Sequence, residues 1–265
     1  MSGQNKLIIG NWKMHFTVRQ AVNFATKLAA KPIPEGVTVA IAPHALALSE
    51  IAVTLQKTGI KTAAQNAYSQ DEGAFTGEVS MPMLRGLAKY VLVGHSERRH
   101  VFHEQNELIR TKVAAAVRSG ITPVLCVGET LVERQHGQTN QILLDQLSVG
   151  LANLTAEEVA RSVIAYEPVW AIGTGQFARP DDVSKAVAKI RHEVNSVFGT
   201  KTARSVTILY GGSVSKDNAA SYLQLMDVDG LLVGGASLSV ATFWPVVEAA
   251  SSVIPKKIKI DKQEQ

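Results

Sequence analysis

Cysteine is nearly absent from this sequence. The 265-residue chain carries a single one, Cys126, so no internal disulfide can form and nothing asks for an oxidising compartment. Long hydrophobic runs are missing too. Leu7-Ile8-Ile9 is too short for a signal-peptide core or a membrane span, and the apolar stretch from Ala236 to Ile254 is broken by Pro245 and Glu248. The expected setting is the cytoplasm, away from membranes. A basic stripe is lacking as well: Lys and Arg number 27 against 23 Asp and Glu, and residues 255–265, with four Lys, one Asp and one Glu, supply half of the net +4. Arg98-Arg99 and Lys256-Lys257 do not make the charged surface with stacking aromatics that a nucleic acid requires. No Ser-, Gly- or Pro-rich linker divides the chain, and 46% hydrophobic content is enough for a large core. These features predict one domain over residues 1–254, followed by a basic tail, 255–265, whose default state is disorder.

Eight short apolar runs rich in β-branched residues are present: Lys6–Gly10, Val37–Ala42, Ile60–Gln65, Tyr90–Gly94, Ile121–Val127, Ser162–Glu167, Val206–Tyr210 and Gly230–Val233. Most are continuous rather than alternating, which is the pattern of parallel strands covered on both faces. Helical periodicity fills the gaps. Val18, Ala21, Val22, Ala25, Leu28 and Ala29 recur at helical spacing behind a Thr17/Gln20 capping box, and Thr155/Glu158 forms a second box before the sixth run. Further helical patterns cover Leu46–Leu55, Glu104–Val117, Ile142–Leu151, Val183–Val197, Ala219–Leu225 and Phe243–Ala249. Eight strand-helix units of about thirty residues each predict an α/β fold, a closed (β/α)8 barrel of parallel strands. The rival, an open doubly wound sheet binding a dinucleotide, needs a glycine-rich turn after the first strand, where Gly10-Asn11-Trp12-Lys13 stands instead.

In such a barrel the reactive groups follow the C-terminal ends of the strands. Asn11 and Lys13 follow the first, His95 and Ser96 the fourth, Glu167 ends the sixth, and Gly211-Gly212-Ser213 and Gly234-Gly235 follow the seventh and eighth. Each has a plainer reading when taken alone. A lone lysine there is a solvated charge, and His95, at the start of a short helical turn that disfavours a cationic ring, serves equally as a hydrogen-bonded structural histidine. Glu167 is harder to dismiss. Val163-Ile164-Ala165-Tyr166 before it is apolar and Pro168 ends the strand, setting a carboxylate beside buried surface, where it becomes a usable base; an ion-paired structural glutamate remains the alternative. Glu97 and Arg98 read as members of an ion-pair network holding the turn. Gly173-Thr174-Gly175-Gln176-Phe177-Ala178 matches a dinucleotide pattern in letters, but it begins six positions beyond Glu167 and a helix opens only at Pro180. It reads as a long loop with bare amides. His100, His103 and Glu104 lack the spacing of a metal motif, and Cys126 reads as a packed hydrophobe.

Six segments carry a family resemblance: Gly10-Asn11-Trp12-Lys13-Met14, Gly73–Glu78, Gly94-His95-Ser96-Glu97-Arg98-Arg99, Ala165–Gly175, Tyr210–Ser213 and Val233–Leu238. In this order they resemble the triosephosphate isomerases, whose fold is the TIM barrel. The resemblance implies a cofactor-independent aldose-ketose isomerase of glycolysis and gluconeogenesis, interconverting dihydroxyacetone phosphate and D-glyceraldehyde 3-phosphate through an enediolate, with no metal. It implies Glu167 as the base, His95 as a neutral electrophile, and Lys13 and Asn11 as stabilisers of the enediolate charge, with Ser96 and Glu97 supporting the catalytic turn. Gly173, Ser213, Gly234 and Gly235 would bind the substrate phosphate. Pro168, Val169, Trp170, Ala171, Ile172, Gly173, Thr174, Gly175 and Gln176 would form a lid that excludes water and guards the intermediate against loss of phosphate. Thr76, Met14 and His15 would lie in a homodimer interface, the Thr76 loop entering a neighbouring subunit. Gln176 departs from the lysine common there. A barrel that only binds phosphosugars would need the phosphate amides but no base, whereas Asn11, Lys13, His95 and Glu167 are all present.

Overall fold

The computed structural model describes residues 5–173 and 175–254; the expectation for the tail 255–265, and the lid residue Thr174, lie outside them. Eight parallel strands form a closed barrel in chain order: β1 Lys6–Asn11, β2 Val37–Ala42, β3 Lys61–Ala64, β4 Tyr90–Val93, β5 Thr122–Val127, β6 Val163–Tyr166, β7 Thr207–Tyr210 and β8 Gly230–Val233. β1 closes the ring by pairing with both β2 and β8. Around it run α1 Val18–Ala29, α2 Ala45–Leu55, α3 Ser96–His100, α4 Asn106–Arg118, α5 Leu131–Gln135, α6 Thr139–Gly150, α7 Ala156–Arg161, α8 Pro180–Ser205 (kinked at Gly199), α9 Ala219–Leu223 and α10 Val240–Ser252.

The apolar runs are continuous because the two faces of each strand serve two separate cores. Leu7, Ile9, Ala40, Ala42, Ala63, Leu92, Val124, Cys126, Val163, Ala165, Leu209 and Leu232 pack together inside the barrel. Their strand neighbours, among them Ile8, Val39, Ile41, Val91, Val93, Leu125, Ile164, Ile208 and Leu231, pack outward against the helices. This is the period of two in side-chain direction, with both directions buried. α1 shows the complementary pattern. Ala21, Phe24, Ala25 and Leu28 form its buried stripe, and Thr17 and Gln20 complete the capping box. A cap is worth about 1 kcal/mol, and full burial of Phe24 or Leu28 about 1.5–3 kcal/mol each, so packing outweighs capping in holding the helix.

That alternation aims the site residues. Asn11 continues the inward series Leu7, Ile9, and Glu167 continues Val163, Ala165, so both side chains turn into the barrel mouth. Gly94 breaks the series after Leu92. Its φ of 70° suits a residue without Cβ, and it resets the chain direction so that His95 faces the mouth instead. Arg99 locks this turn by donating to Gly94 O at 2.8 Å and Cys126 O at 2.9 Å. The short helix foreseen after β4 is α3. Glu97 and Arg98 do not form one network, however: Glu97 pairs with Lys13 and Arg98 with Glu104, because successive residues on a helical turn point in different directions.

Candidate active site

Asn11, Lys13, His95, Glu167, Gly173, Ser213, Gly234 and Gly235 all line one pocket of about 370 Å³ at the C-terminal mouth of the barrel. Eight residues drawn from five strand ends and from the loop after Glu167 are thus gathered by the fold alone.

Glu167 lies at the pocket floor, only 2% exposed. Its Oε2 accepts the Ser96 N–H at 2.8 Å, and its Oε1 lies 3.0 Å from His95 Nε2. His95 caps α3, its Nδ1 accepting the Glu97 N–H at 3.2 Å. A nitrogen that accepts carries no proton, so the ring is the neutral tautomer with its hydrogen on Nε2, pointed at Glu167. The first two amides of α3 therefore orient the carboxylate and the imidazole respectively.

Lys13 sits opposite with φ 52°, a left-handed conformation that costs about 1 kcal/mol or more in a residue with a side chain. Several contacts hold it there: Lys13 N–H donates to Asn11 Oδ1 at 3.0 Å, and Gln65 Nε2 donates to Lys13 O and to Ala42 O, both at 2.8 Å. The adjoining Trp12 ring is fully buried, edge-on to Phe16 and Phe24 at 5.1 and 4.8 Å. The ammonium, half-buried, meets Glu97 Oε1 at 2.6 Å, which holds the cation at the mouth.

Comparison with known proteins points the same way. The triosephosphate isomerase family model matches residues 6–250. Triosephosphate isomerase of Chlamydia trachomatis serovar L2 is 47% identical over 247 residues, 92% of this chain and 89% of that one. The Chlamydia felis enzyme of the same name is 47% identical over 245 residues, 91% and 96% of the two chains, and that of Protochlamydia amoebophila is 43% identical over 255, 96% and 97%. The chain belongs to the triosephosphate isomerase family.

Within this family member the segment after Glu167 begins as a tight helical turn, Val169–Ala171, that rests on a residue not singled out from the sequence. Glu129, fully buried, accepts Trp170 Nε1–H at 2.9 Å and the Tyr166 hydroxyl at 3.2 Å, and its backbone O accepts Val169 N–H at 3.0 Å. Arg134 lies over the Trp170 ring at 4.4 Å and pairs with Asp182 at 2.9 Å, tying this turn to the start of α8. Burial pushes the Glu129 carboxyl up, and the hydrogen bonds from Trp170 and Tyr166 pull partly against it; burial also pushes the Tyr166 phenol well up. Gly128, Glu129 and Gln65 were all missed, although the strand-end rule that found Glu167 applies equally to the ends of β3 and β5.

Thr76 and Met14 lie outside the pocket, whereas His15 is among its lining residues. Thr76 is in an exposed segment and Met14 is 96% exposed; His15 is exposed at the pocket rim. A second cavity of about 370 Å³ borders the first, sharing Asn11, Lys13 and His95 with it and opening beside Met14, Glu97 and Phe102. Among the described residues, no helix is long and apolar enough to cross a membrane.

Proposed function

We propose that this pocket carries the isomerisation of a triose phosphate, dihydroxyacetone phosphate to D-glyceraldehyde 3-phosphate and back, with Glu167 as the base. The phosphate dianion seats against the backbone of Gly173, Ser213, Gly234 and Gly235, where amides at a barrel rim favour an anion. Glu167 leaves the Ser96 amide and takes a proton from the carbon beside the carbonyl. The substrate oxygen replaces Glu167 as acceptor of the His95 Nε2–H, so charge developing on that oxygen meets a fixed donor, with the Lys13 ammonium and Asn11 alongside. Glu167 then returns the proton to the neighbouring carbon, and His95 moves its proton between the two oxygens. The lid, Pro168–Gln176, excludes water while the enediolate exists.

The observation that carries this reading is the buried Glu167 carboxylate 3.0 Å from His95 Nε2, in a ring whose Nδ1 accepts the Glu97 N–H. A binding barrel has no use for that pair. An assay of dihydroxyacetone phosphate conversion, coupled to a dehydrogenase, tests it. Glu167→Ala is expected to lower kcat by about a thousandfold while inhibition by inorganic phosphate changes little; a parallel loss of both assigns Glu167 to binding instead.

The chain is further read as a homodimer in which the Thr76 loop of a second copy fills the cavity beside Met14. Exposed Met14, Phe75, Met83 and Phe102 support that reading, since an apolar surface of this kind calls for a partner. The same pocket residues would then face solvent on one side only.

A further inference from the structure

The far end of the lid is fixed by a side chain from another element. The chain is exposed through Gln176 and Phe177 and becomes buried at Ala178. There the Tyr222 hydroxyl donates to Ala178 O at 2.8 Å, a buried bond between residues 44 apart in sequence. Tyr222 itself is 2% exposed, and its ring stacks on Tyr210 at 4.2 Å and 34°. Tyr210 ends β7, directly before the Gly211-Gly212-Ser213 segment. Its hydroxyl is buried beside Tyr222 and the Ala178 backbone. Burial raises both phenols, so both stay protonated and Tyr222 remains a donor.

Tyr222 stands on α9, whose first turn is built on the phosphate segment. Asn218 Nδ2 donates to Ser213 O at 3.2 Å, and Asn218 Oδ1 accepts the Ser215 N–H at 2.8 Å. A five-residue helix therefore grips the phosphate loop at one end and the lid terminus at the other. We propose that Tyr222 is a positioning residue for the isomerisation: its hydroxyl pins the Ala178 carbonyl as the lid's pivot, in register with the phosphate loop, so that the lid covers the dianion and the enediolate together.

This rests on the isomerase reading. When the lid fails to cover the enediolate, its electron pair expels the phosphate by breaking the adjacent carbon–oxygen bond, so inorganic phosphate released per isomerisation turnover reports lid placement. Tyr222→Phe keeps the stacked ring and removes the donor, leaving a buried carbonyl unpaired, a state the lid terminus escapes by shifting. The ratio of phosphate release to isomerisation is expected to rise about tenfold, with KM raised and the melting temperature nearly unchanged. Tyr222→Leu, which removes the stack as well, should show the same ratio with a larger loss of melting temperature. An unchanged ratio and KM in Tyr222→Phe overturns the proposal and leaves Tyr222 as packing; so does failure of both variants to fold. Amide hydrogen exchange over residues 175–180 reads the pivot without activity: faster exchange in Tyr222→Phe supports the proposal even in a chain that fails to isomerise, and equal exchange counts against it.

Discussion

At the scale of single residues, the site depends on a close approach that leaves no space for a side chain. A Cβ placed on Gly128 would stand 1.8 Å from Glu167 O and 2.6 Å from its carbonyl carbon. Both are backbone atoms at the end of β6, held by Glu167 N–H donating to Val127 O at 2.7 Å. No rotamer change relieves such a clash, so the end of the strand must move. Gly128→Ala is expected to cost at least about 3 kcal/mol in stability, and because a shift near 1 Å in a catalytic group costs about a hundredfold in rate, kcat should fall by that order even at temperatures where the variant is fully folded. Chemical denaturation and steady-state kinetics measure the two effects. A stable variant with undiminished kcat would mean that the carboxylate position tolerates strand movement.

At the scale of elements, the lid's first turn stands on Glu129, and this support is sensitive to pH. The Glu129 carboxyl is raised by burial above its ordinary range. A group whose folded value exceeds its unfolded value favours the fold below the unfolded value and loses that contribution as pH climbs through the folded one. Ionising Glu129 thus works against the fold as pH rises from the usual glutamate range through weak acidity. Glu129→Gln removes the titration. Its melting temperature relative to the unaltered chain should therefore improve as pH rises across that window, and thermal melts in a pH series test this; a difference independent of pH contradicts the assignment. The strands and most of the helices that carry these groups were legible in the sequence, each strand to within one residue at either end, because two-faced burial writes continuous apolar runs and capping boxes mark helix starts. α5 shows the limit. Thr130 and Glu133 form a complete capping box, yet the helix buries no side chain of its own, so there was no apolar stripe to reveal it. The contacts Ser96 to Glu167, Glu129 to Trp170 and Tyr222 to Ala178 join residues 71, 41 and 44 apart, and no local pattern encodes them.

At the scale of the whole molecule, the pocket is open on the side where Asn11, Lys13 and His95 border the second cavity. An ammonium and an imidazole that must act on a developing negative charge lose most of their effect when water has access to them, so a chain working alone would keep the constellation and forfeit much of its strength. On the proposed homodimer reading, the exposed apolar residues Met14 and Phe102 and the exposed segment that bears Thr76 would supply both halves of a two-fold contact, the arrangement expected of a pair of identical chains. Thr76→Arg places a charge where the loop would enter the second copy's cavity, beside its Lys13 and Arg98. The unaltered chain should sediment at twice its own mass and the variant at its own mass, with specific activity lower by at least about tenfold and recovering in part as protein concentration rises. Both cavities being lined within one chain, a variant that is monomeric and fully active would show that the second copy contributes nothing to the chemistry, and the water-excluding role assigned to its loop would have to pass to the lid alone.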